Sequence, residues 1–263
     1  MRFLRKCDRN MCCALKLKVP TERLTELPYS SVLCYPKSSE ADLKKRLREL
    51  QKLGVTALEF IGEKQVLDLL VLGKGCVGIV ALAYADSIKV ALKIRRVDAD
   101  RLMMRHEANM LEKANAVHVG PELLKVSKNF LLMQFIDGRL LPEWLGKRRE
   151  KARIRRVLRE VLEQCWRLDN AGLDHGELSH APKHVIVDRT DGVSIVDFET
   201  ASVNRKPANV TSICQFLFIS GLAEEVAAKL GERNKKAVIE ASRAYKNDRS
   251  RVNFEKVLEA CGL

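Results

Sequence analysis

A glycine-rich segment at residues 73–80 has the spacing that lets a backbone lie close against phosphate groups. It reads GKGCVGIV and fits the pattern G-x-G-x-x-G-x-V, in which small residues leave backbone N–H groups open to phosphate oxygens. A dinucleotide fingerprint needs a helix after the loop, but Ile79–Tyr84 has a strand pattern, and position 93 is a lysine instead of an acid. A Walker A loop is excluded because no Gly-Lys-Ser/Thr follows. A glycine turn between two strands remains, although such glycines also mark ordinary tight turns.

Charged residues suited to phosphate chemistry follow this segment in a defined order. The strand pattern VALK ends in Lys93, and the helical segment RHEANML contains Glu107. Two acidic segments come later, DHGEL at 174–178 and VDFE at 196–199. Taken singly, a lysine at a strand end or a glutamate on a helix is usually a solvated surface residue. Their order after the glycine segment favours a joint role.

This ordered set resembles the motifs of the protein-kinase-like superfamily. The glycine segment is similar to the kinase flap, Val90–Lys93 to the V-A-I-K strand, and Leu131–Gly138 to the hinge. The two acidic segments are similar to H-R-D-L and D-F-G. More closely, the chain resembles small archaeal predicted serine/threonine kinases related to the Rio kinases and to the kinase of the KEOPS complex. The resemblance covers about residues 56–220 and implies ATP with Mg²⁺, or alternatively Mn²⁺, as cofactors.

The resemblance also implies a role for each matching residue. In the catalytic set, Lys93 would hold the nucleotide phosphates, Asp197 would bind the metal, and Glu177 would orient the acceptor hydroxyl and accept its proton. Glu107 would orient Lys93, and Met133 would stand at the gatekeeper position. The nucleotide-binding set that the resemblance implies is Gly73, Lys74, Gly75, Cys76, Val77, Gly78, Val80, Ala91, Lys93, Glu107, Met133, Gln134, Phe135 and Ile136.

Three positions depart from the kinase pattern in and after the first acidic segment, DHGEL. Glu177 stands where the family has Asp, and Gly176 replaces an Arg that reads a phosphorylated loop in many kinases, so that form of switching is not expected. The family's metal-binding Asn would fall at Pro182 counted from Glu177, or at His184 counted back from Asp197. We interpret this as a two-residue insertion, with His184 either binding metal through a ring nitrogen or filling a structural position.

The last departure is Glu199, which replaces the Gly of D-F-G. A second acid there could complete the metal site, or it could be a solvent-facing loop residue. The motifs H-G-E at 175–177 and D-F-E at 197–199 also resemble those of small-molecule kinases that phosphorylate aminoglycosides or choline. Only Thr200–Pro207 separates Glu199 from the next helix, and no A-P-E segment follows. We therefore expect the acceptor to be a folded protein, a small molecule or the protein itself.

These features predict an ATP-dependent phosphotransferase that transfers the γ-phosphate to a protein hydroxyl, as atypical serine/threonine kinases do. Two alternatives stay open at the level of sequence. One is a small-molecule kinase, and the other is an ATPase or nucleotide-binding scaffold that serves an RNA-related complex.

Apolar patterns predict the elements that would position these residues. Ser39 and Gly54 bound a helix at about 40–53, and the Pro- and Ser-rich residues before it look like loop. From Thr56 the runs ALEFI, QVLDLLVL, GIVALAY and IKVALKI indicate an antiparallel meander. The following elements would be a helix at about 99–114 capped by Asp98, strands at 122–127 and 129–136, a long helix with an apolar stripe from Ile154 to Leu168, strands at 184–187 and 193–196, and helices from about 208.

The predicted fold class is therefore α+β, with the two lobes of a protein kinase. Residues 1–55 would be an N-terminal extension with one helix. Residues 56–136 would form a small antiparallel-sheet lobe with one helix, and residues 137–263 a larger, mainly helical lobe.

The net charge of +13 is concentrated in two segments. Residues 1–18 hold six basic side chains and one acid, and residues 147–159 hold eight and one. In the second segment, the arginines opposite the apolar stripe favour RNA or another phosphate-rich partner over a merely solvated face. They are Arg148, Arg149, Arg153, Arg155, Arg156 and Arg159. Translation could also begin at Met11, which would remove four basic residues and one acid.

The eight cysteines are scattered without a C-x-x-C pair or a histidine cluster. This spacing predicts neither a disulfide framework nor a zinc site and indicates a reducing cytoplasm. The apolar run at 11–15 is too short for a signal peptide, and we expect no membrane partner.

Overall fold

The computed structural model describes residues 17–99, 101–147 and 150–263, and only the backbone of Leu17 and 101–103. The described residues form a mixed α/β structure with an antiparallel sheet, consistent with a kinase-like fold. The strands are β1 Leu17–Pro20, β2 Val55–Phe60, β3 Lys64–Val66, β4 Leu69–Val71, β5 Gly73–Lys74, β6 Gly78–Ala85, β7 Ile88–Arg95, β8 Leu123–Val126, β9 Phe130–Gln134, β10 Gly138–Leu140, β11 Val185–Asp188 and β12 Val193–Ile195. The helices are α1 Tyr29–Leu33, α2 Glu40–Leu53, α3 Arg101–Asn115, α4 Leu141–Gly146, α5 Lys151–Asn170, α6 Asn209–Cys214, α7 Ala223–Leu230, α8 Lys235–Asn247 and α9 Arg251–Cys261.

The main sheet places its longest apolar strands at the centre. Its order is β1-β2-β6-β7-β9-β8, with β5 paired to the start of β6. Strands β6 and β7 pair over their full length, which sets Lys93 opposite Val80 on one side and Leu131 of β9 on the other. Because β7 lies between two strands, its backbone is held on both edges and its side chains are fixed in direction. A separate sheet joins β10, β11 and β12.

The chain before α2 contains more secondary structure than the sequence predicts. The predicted loop contains β1, a 3₁₀ turn at Thr21–Thr25 and α1, so the prediction of loop is wrong there. β1 pairs with β2 at the edge of the main sheet, and Leu24, Val32 and Leu33 are buried in the same cluster as the sheet residues. Burial of these side chains overrides the turn preference of the local Pro and Ser residues.

Two further details differ from the local patterns. The run QVLDLLVL forms the hairpin of β3 and β4, which turns at Leu67 with a positive φ of 53°. The sheet is therefore not a simple meander, because β2 pairs with β6 across that hairpin. Helix α3 begins at Arg101, and the carboxylate of Asp98, expected to cap it, accepts hydrogen bonds from Arg96.

Helices α2 and α5 follow their sequence signals. The backbone N–H of Asp42 donates to Ser39 Oγ at 3.1 Å, and α2 ends at Gly54, which has a left-handed φ of 79°. The apolar stripe of α5 is buried from Ile154 to Leu168 within a cluster of helical side chains. A second cluster lies against the main sheet.

Two further expectations from the sequence concern membrane-spanning helices and the cysteines. In the described residues, no single helix is long and apolar enough to cross a membrane, although the bent pair Asn209–Ile219 and Ala223–Leu230 reaches that length and apolarity when taken together. Within the same residues, the cysteines are free thiols, namely Cys34, Cys76, Cys165, Cys214 and Cys261. The basic residues before Leu17 lie outside the described part of the chain.

Candidate functional site

Lys93 is the centre of a cluster of charges between the main sheet and the segment after β12. Its ammonium Nζ donates to Glu107 Oε1 at 2.8 Å and contacts Asp197 Oδ1 at 3.2 Å. A third carboxylate, that of Glu199, lies 3.0 Å away. Burial acts to lower the pKa of Lys93, but the three carboxylates outweigh it and raise that pKa above its usual value. Lys93 therefore stays charged at neutral pH.

Glu107 comes from α3 and is almost fully buried. Burial raises the pKa of Glu107, and its interactions with Lys93 act against that shift. A buried charge is tolerated only where a partner compensates for its lost hydration. The lysine and the glutamate are therefore held to each other, which fixes the distance between β7 and α3 at this point.

The glycine segment lies directly on the side chain of Lys93. A Cβ atom on Gly78 would approach Lys93 Cγ to 3.1 Å, Lys93 Cε to 3.2 Å and the carbonyl oxygen of Ile94 to 3.0 Å. A larger residue at position 78 would have to displace these neighbours by a few tenths of an ångström. The N–H of Gly75 donates to the carbonyl of Gly78 at 2.8 Å and closes the turn between β5 and β6.

The other predicted nucleotide residues surround this turn and the strand ends beyond it. Gly73 and Lys74 form β5, Cys76 is exposed, and Val77 and Ala91 are buried. Met133 pairs with Ala91 at the end of β9. The N–H of Gln134 donates to the carbonyl of Glu122. The backbone groups of Phe135 and Ile136 make no hydrogen bond with described residues and remain available to a ligand.

A second group brings Glu177, His184 and Asp197 together, each with one ligand atom within 4.8 Å of the others. His184 Nε2 lies 2.9 Å from Glu177 Oε2 and 3.9 Å from Asp197 Oδ2. His184 is buried, and apart from these contacts with the two carboxylates its ring nitrogens have no hydrogen-bond partner among the described residues. Glu199 lies outside this group because its carboxylate contacts Lys93.

The electrostatics of this group suit a divalent cation. Burial lowers the pKa of His184 despite the nearby carboxylates, so its ring is neutral and has a free lone pair. Burial acts to raise the pKa of Asp197, but Lys93 outweighs it and the net shift is downward, which keeps this group ionised. Two carboxylates and a neutral imidazole are a donor set that Mg²⁺ accepts and that Mn²⁺ accepts more readily. The residues present therefore fit a metal ion.

Comparison with known families gives an independent result. Residues 84–212 match the RIO domain family. The matched range is slightly less than half of the chain, and it contains Lys93, Glu107, Glu177 and Asp197 but not the glycine segment. RIO domain proteins are atypical kinases and ATPases, so the match supports a Rio-like, kinase-like enzyme that uses ATP. A search of curated proteins found no match.

Within the RIO domain match, the structure explains why Gly176 replaces the usual arginine. Gly176 has a positive φ of 90°, and a Cβ atom there would lie 2.5 Å from Arg205 Nη2. The guanidinium of Arg205 instead donates to Asp174 Oδ2 at 2.8 Å and to the carbonyl of Thr200 at 2.7 Å. An arginine from the segment after Glu199 therefore packs against the loop at the position where a local side chain has no room.

Sequence reasoning missed the buried polar network that supports the acidic loop at 174–178. Asn209, at the start of α6, accepts from the N–H of His175 at 2.8 Å and donates to Asp169 Oδ1 at 2.8 Å. Asp169 also accepts from Tyr245 Oη at 3.0 Å. The ring of His175 packs edge-on against Phe198, and burial lowers the pKa of His175 to about 4. The signal available in the sequence was the presence of the polar residues Asp169, His175 and Asn209 within apolar segments, because buried polar groups need hydrogen-bond partners.

The arginine face of α5 is largely paired with acids. Arg153 and Arg156 both contact the carboxylate of Asp191, and Arg159 contacts Glu255 at 3.2 Å. Arg155 is exposed, whereas Arg148 and Arg149 lie outside the described residues. Because three of these guanidinium groups already have carboxylate partners, the sequence overstated the charge that this face presents to RNA.

Proposed function

We propose that the protein transfers the γ-phosphate of ATP to a serine or threonine hydroxyl of a protein, its own chain included. The observation that carries the proposal is the position of Lys93, buried under the glycine turn and surrounded by the carboxylates of Glu107, Asp197 and Glu199. A lysine in that setting is fixed in place, charged, and directed at the place where phosphates would lie beneath the turn. The match to the RIO domain supports the same reaction class.

The second charged group would supply the metal ligands. Asp197, His184 and Glu177 would hold Mg²⁺ or Mn²⁺, which neutralises phosphate charge when bound. Glu199 would be available as a further ligand if its contact with Lys93 opens. Lys93 would exchange part of its carboxylate contacts for phosphate oxygens, while Glu107 keeps it oriented.

Glu177 is the proposed group that orients the acceptor hydroxyl. Its side chain is 37% exposed, so an acceptor can reach it from solvent while its inner oxygen contacts His184. A carboxylate in hydrogen-bond reach of a hydroxyl can accept its proton as the bond to phosphorus forms. The short segment Thr200–Pro207, tied back by Arg205, leaves little platform for an extended peptide, which favours a folded acceptor.

The closer relationship to archaeal kinases of the Rio and KEOPS type is part of this proposal, as is a cytoplasmic location. Transfer to a small molecule and ATP hydrolysis within an RNA-related complex are the competing functions. The H-G-E and D-F-E segments are compatible with each of them.

Transfer of labelled phosphate separates these functions. Purified protein with γ-labelled ATP and either Mg²⁺ or Mn²⁺ should label itself or an added folded protein. Asp197→Asn should abolish the transfer and Glu177→Gln should lower it about 100-fold or more. Asp86→Asn is the matched control, because this aspartate is 80% exposed on the β6–β7 turn.

Each other result has a defined meaning. Release of free phosphate without labelled protein would support an ATPase, and label in a small hydroxyl compound would support the small-molecule kinase. ATP binding with neither product would refute phosphotransfer and leave a nucleotide-binding scaffold.

A further inference from the structure

A cavity of about 340 Å³ lies beside α2, at the end of β7 and the turn between β8 and β9. It shares no lining residue with the cluster around Lys93. Its volume is within the range of small-ligand sites, roughly 300–1,000 Å³. Six basic side chains line it, namely Lys45, Arg46, Arg48 and Lys52 of α2, Arg95 of β7 and Lys128 of the β8–β9 turn.

Arg46 forms the inner wall of this cavity and is only 2% exposed. Its Nη1 donates to the carbonyl oxygens of Leu33 and Arg95, both at 2.7 Å. Its Nε and Nη2 make no hydrogen bond with the described residues, and none of the described carboxylates forms an ion pair with it. Its guanidinium also lies over the ring of Phe130, 6.0 Å from the ring centre. With two carbonyls and one ring as partners, this buried guanidinium has lost its hydration without gaining a carboxylate as counter-charge.

The two acids of the cavity, Glu49 and Asp42, accept hydrogen bonds from neutral groups. Glu49 accepts at Oε2 from Ser127 Oγ and from the Asn129 N–H, and at Oε1 from Asn129 Nδ2. Asp42 accepts from Ser39 Oγ at the start of α2. Across the described residues, the exposed cations Lys45, Arg48, Lys52 and Lys128 form no ion pair. Six basic side chains against two acids give the cavity a surplus of positive charge at its wall and at its rim.

We propose that this cavity binds a small phosphorylated molecule. The buried guanidinium offers unused N–H donors in the fork geometry that matches two phosphate oxygens. A single carboxylate would leave most of the rim charges unmatched, whereas a di- or triphosphate group carries several negative charges. The volume of about 340 Å³ and the position of Arg46 at the inner wall favour a small ligand over a polymer, whose phosphates would reach mainly the rim.

The test is calorimetric titration with inorganic pyrophosphate in moderate salt. The double variant Lys52→Ala/Lys128→Ala removes one rim cation from each of two elements, and it should weaken pyrophosphate binding about tenfold. Lys44→Ala is the matched control, because this lysine is also on α2 but is 66% exposed and paired with Glu40. That variant should bind as the natural sequence does.

A second pair of measurements separates this site from the proposed ATP cleft. Lys93→Met should leave pyrophosphate binding in place whether or not phosphotransfer exists. Equal affinity in the double variant and in the Lys44→Ala control would overturn the proposal, as would loss of binding in a Lys93→Met variant that circular dichroism shows to be folded. A short single-stranded RNA that binds more tightly than pyrophosphate and loses affinity in the same double variant would overturn the assignment to a small ligand.

Discussion

Replacing Lys93 by methionine should destabilise the protein more than replacing any one of its carboxylate partners. Methionine keeps the length of the aliphatic stem but removes the charge, which leaves Glu107, Asp197 and Glu199 within a few ångströms of one another. Removing one partner of a buried ion pair costs about 3–5 kcal/mol. Because three acids lose their cation here, we expect about 4 kcal/mol.

The loss of stability in Glu107→Gln provides a quantitative comparison with the loss in Lys93→Met. In this variant Lys93 still has two carboxylates, and the amide oxygen can accept from it. We therefore expect a loss of about 1–2 kcal/mol. In the double variant the two losses should not add, because the buried acid that suffers most from Lys93→Met is absent.

The pH dependence of folding stability should differ between the natural protein and Lys93→Met. In the natural protein the pKa of Lys93 is raised, so its stabilising contribution is complete below the ordinary value of 10.5 and is lost only as the pH rises through the higher folded value. In Lys93→Met, burial still raises the pKa of Glu107, and the opposing lysine is gone. The folded state then binds a proton more tightly than the unfolded state, so stability should fall as pH rises from 5 to 8.

Urea unfolding at pH 5 and pH 8 measures all of these quantities. Lys89→Met is the control, since Lys89 is an exposed lysine on the same strand, and its effect should stay within about 0.5 kcal/mol. Equal losses for Lys93→Met and Glu107→Gln, or a larger deficit for Lys93→Met at pH 5 than at pH 8, would show that the three acids are not held by this lysine.

Two further variants test the structure around Lys93 and the acidic loop. Gly78→Ala should weaken ATP binding and cost about 1–3 kcal/mol of stability, because its methyl group would press on the Lys93 stem. Unchanged affinity by titration would contradict the close approach. Asn209→Ala should cost about 2–3 kcal/mol in urea unfolding, since it leaves Asp169 and the His175 N–H without their shared partner. A loss no larger than that of the exposed Asn204→Ala would refute this role.

Elements with strong local signals could be predicted from the sequence. The cap at Ser39 and the left-handed Gly54 set the ends of α2, and the 3.6-residue period of α5 set its buried face. Both depend on interactions within a few residues. The segment before α2 could not be predicted, because β1 exists only through pairing with β2, about 40 residues later in the chain.

For the site, too, some features could be predicted from the sequence and others could not. Glycine spacing and the order of Lys93, Glu107, Glu177 and Asp197 in the sequence were enough to indicate phosphate chemistry. These sequence features were not enough to predict which partner each acid contacts. Glu199 contacts Lys93 across 106 positions, while His184 lies against Glu177 and Asp197. Such contacts depend on the path of the chain between distant segments, which local periodicity does not encode.

The sequence by itself determined which residues are able to bind phosphate and metal, because those abilities belong to side-chain types and short spacings. Only the tertiary structure decided which charges are left to act. Folding pairs Arg153 and Arg156 with Asp191, and it surrounds Lys93 with three acids. It also buries Arg46 with carbonyl partners in a basic cavity. Charge count is a property of composition, whereas neutralisation needs opposite charges within a few ångströms, and that distance is set by packing.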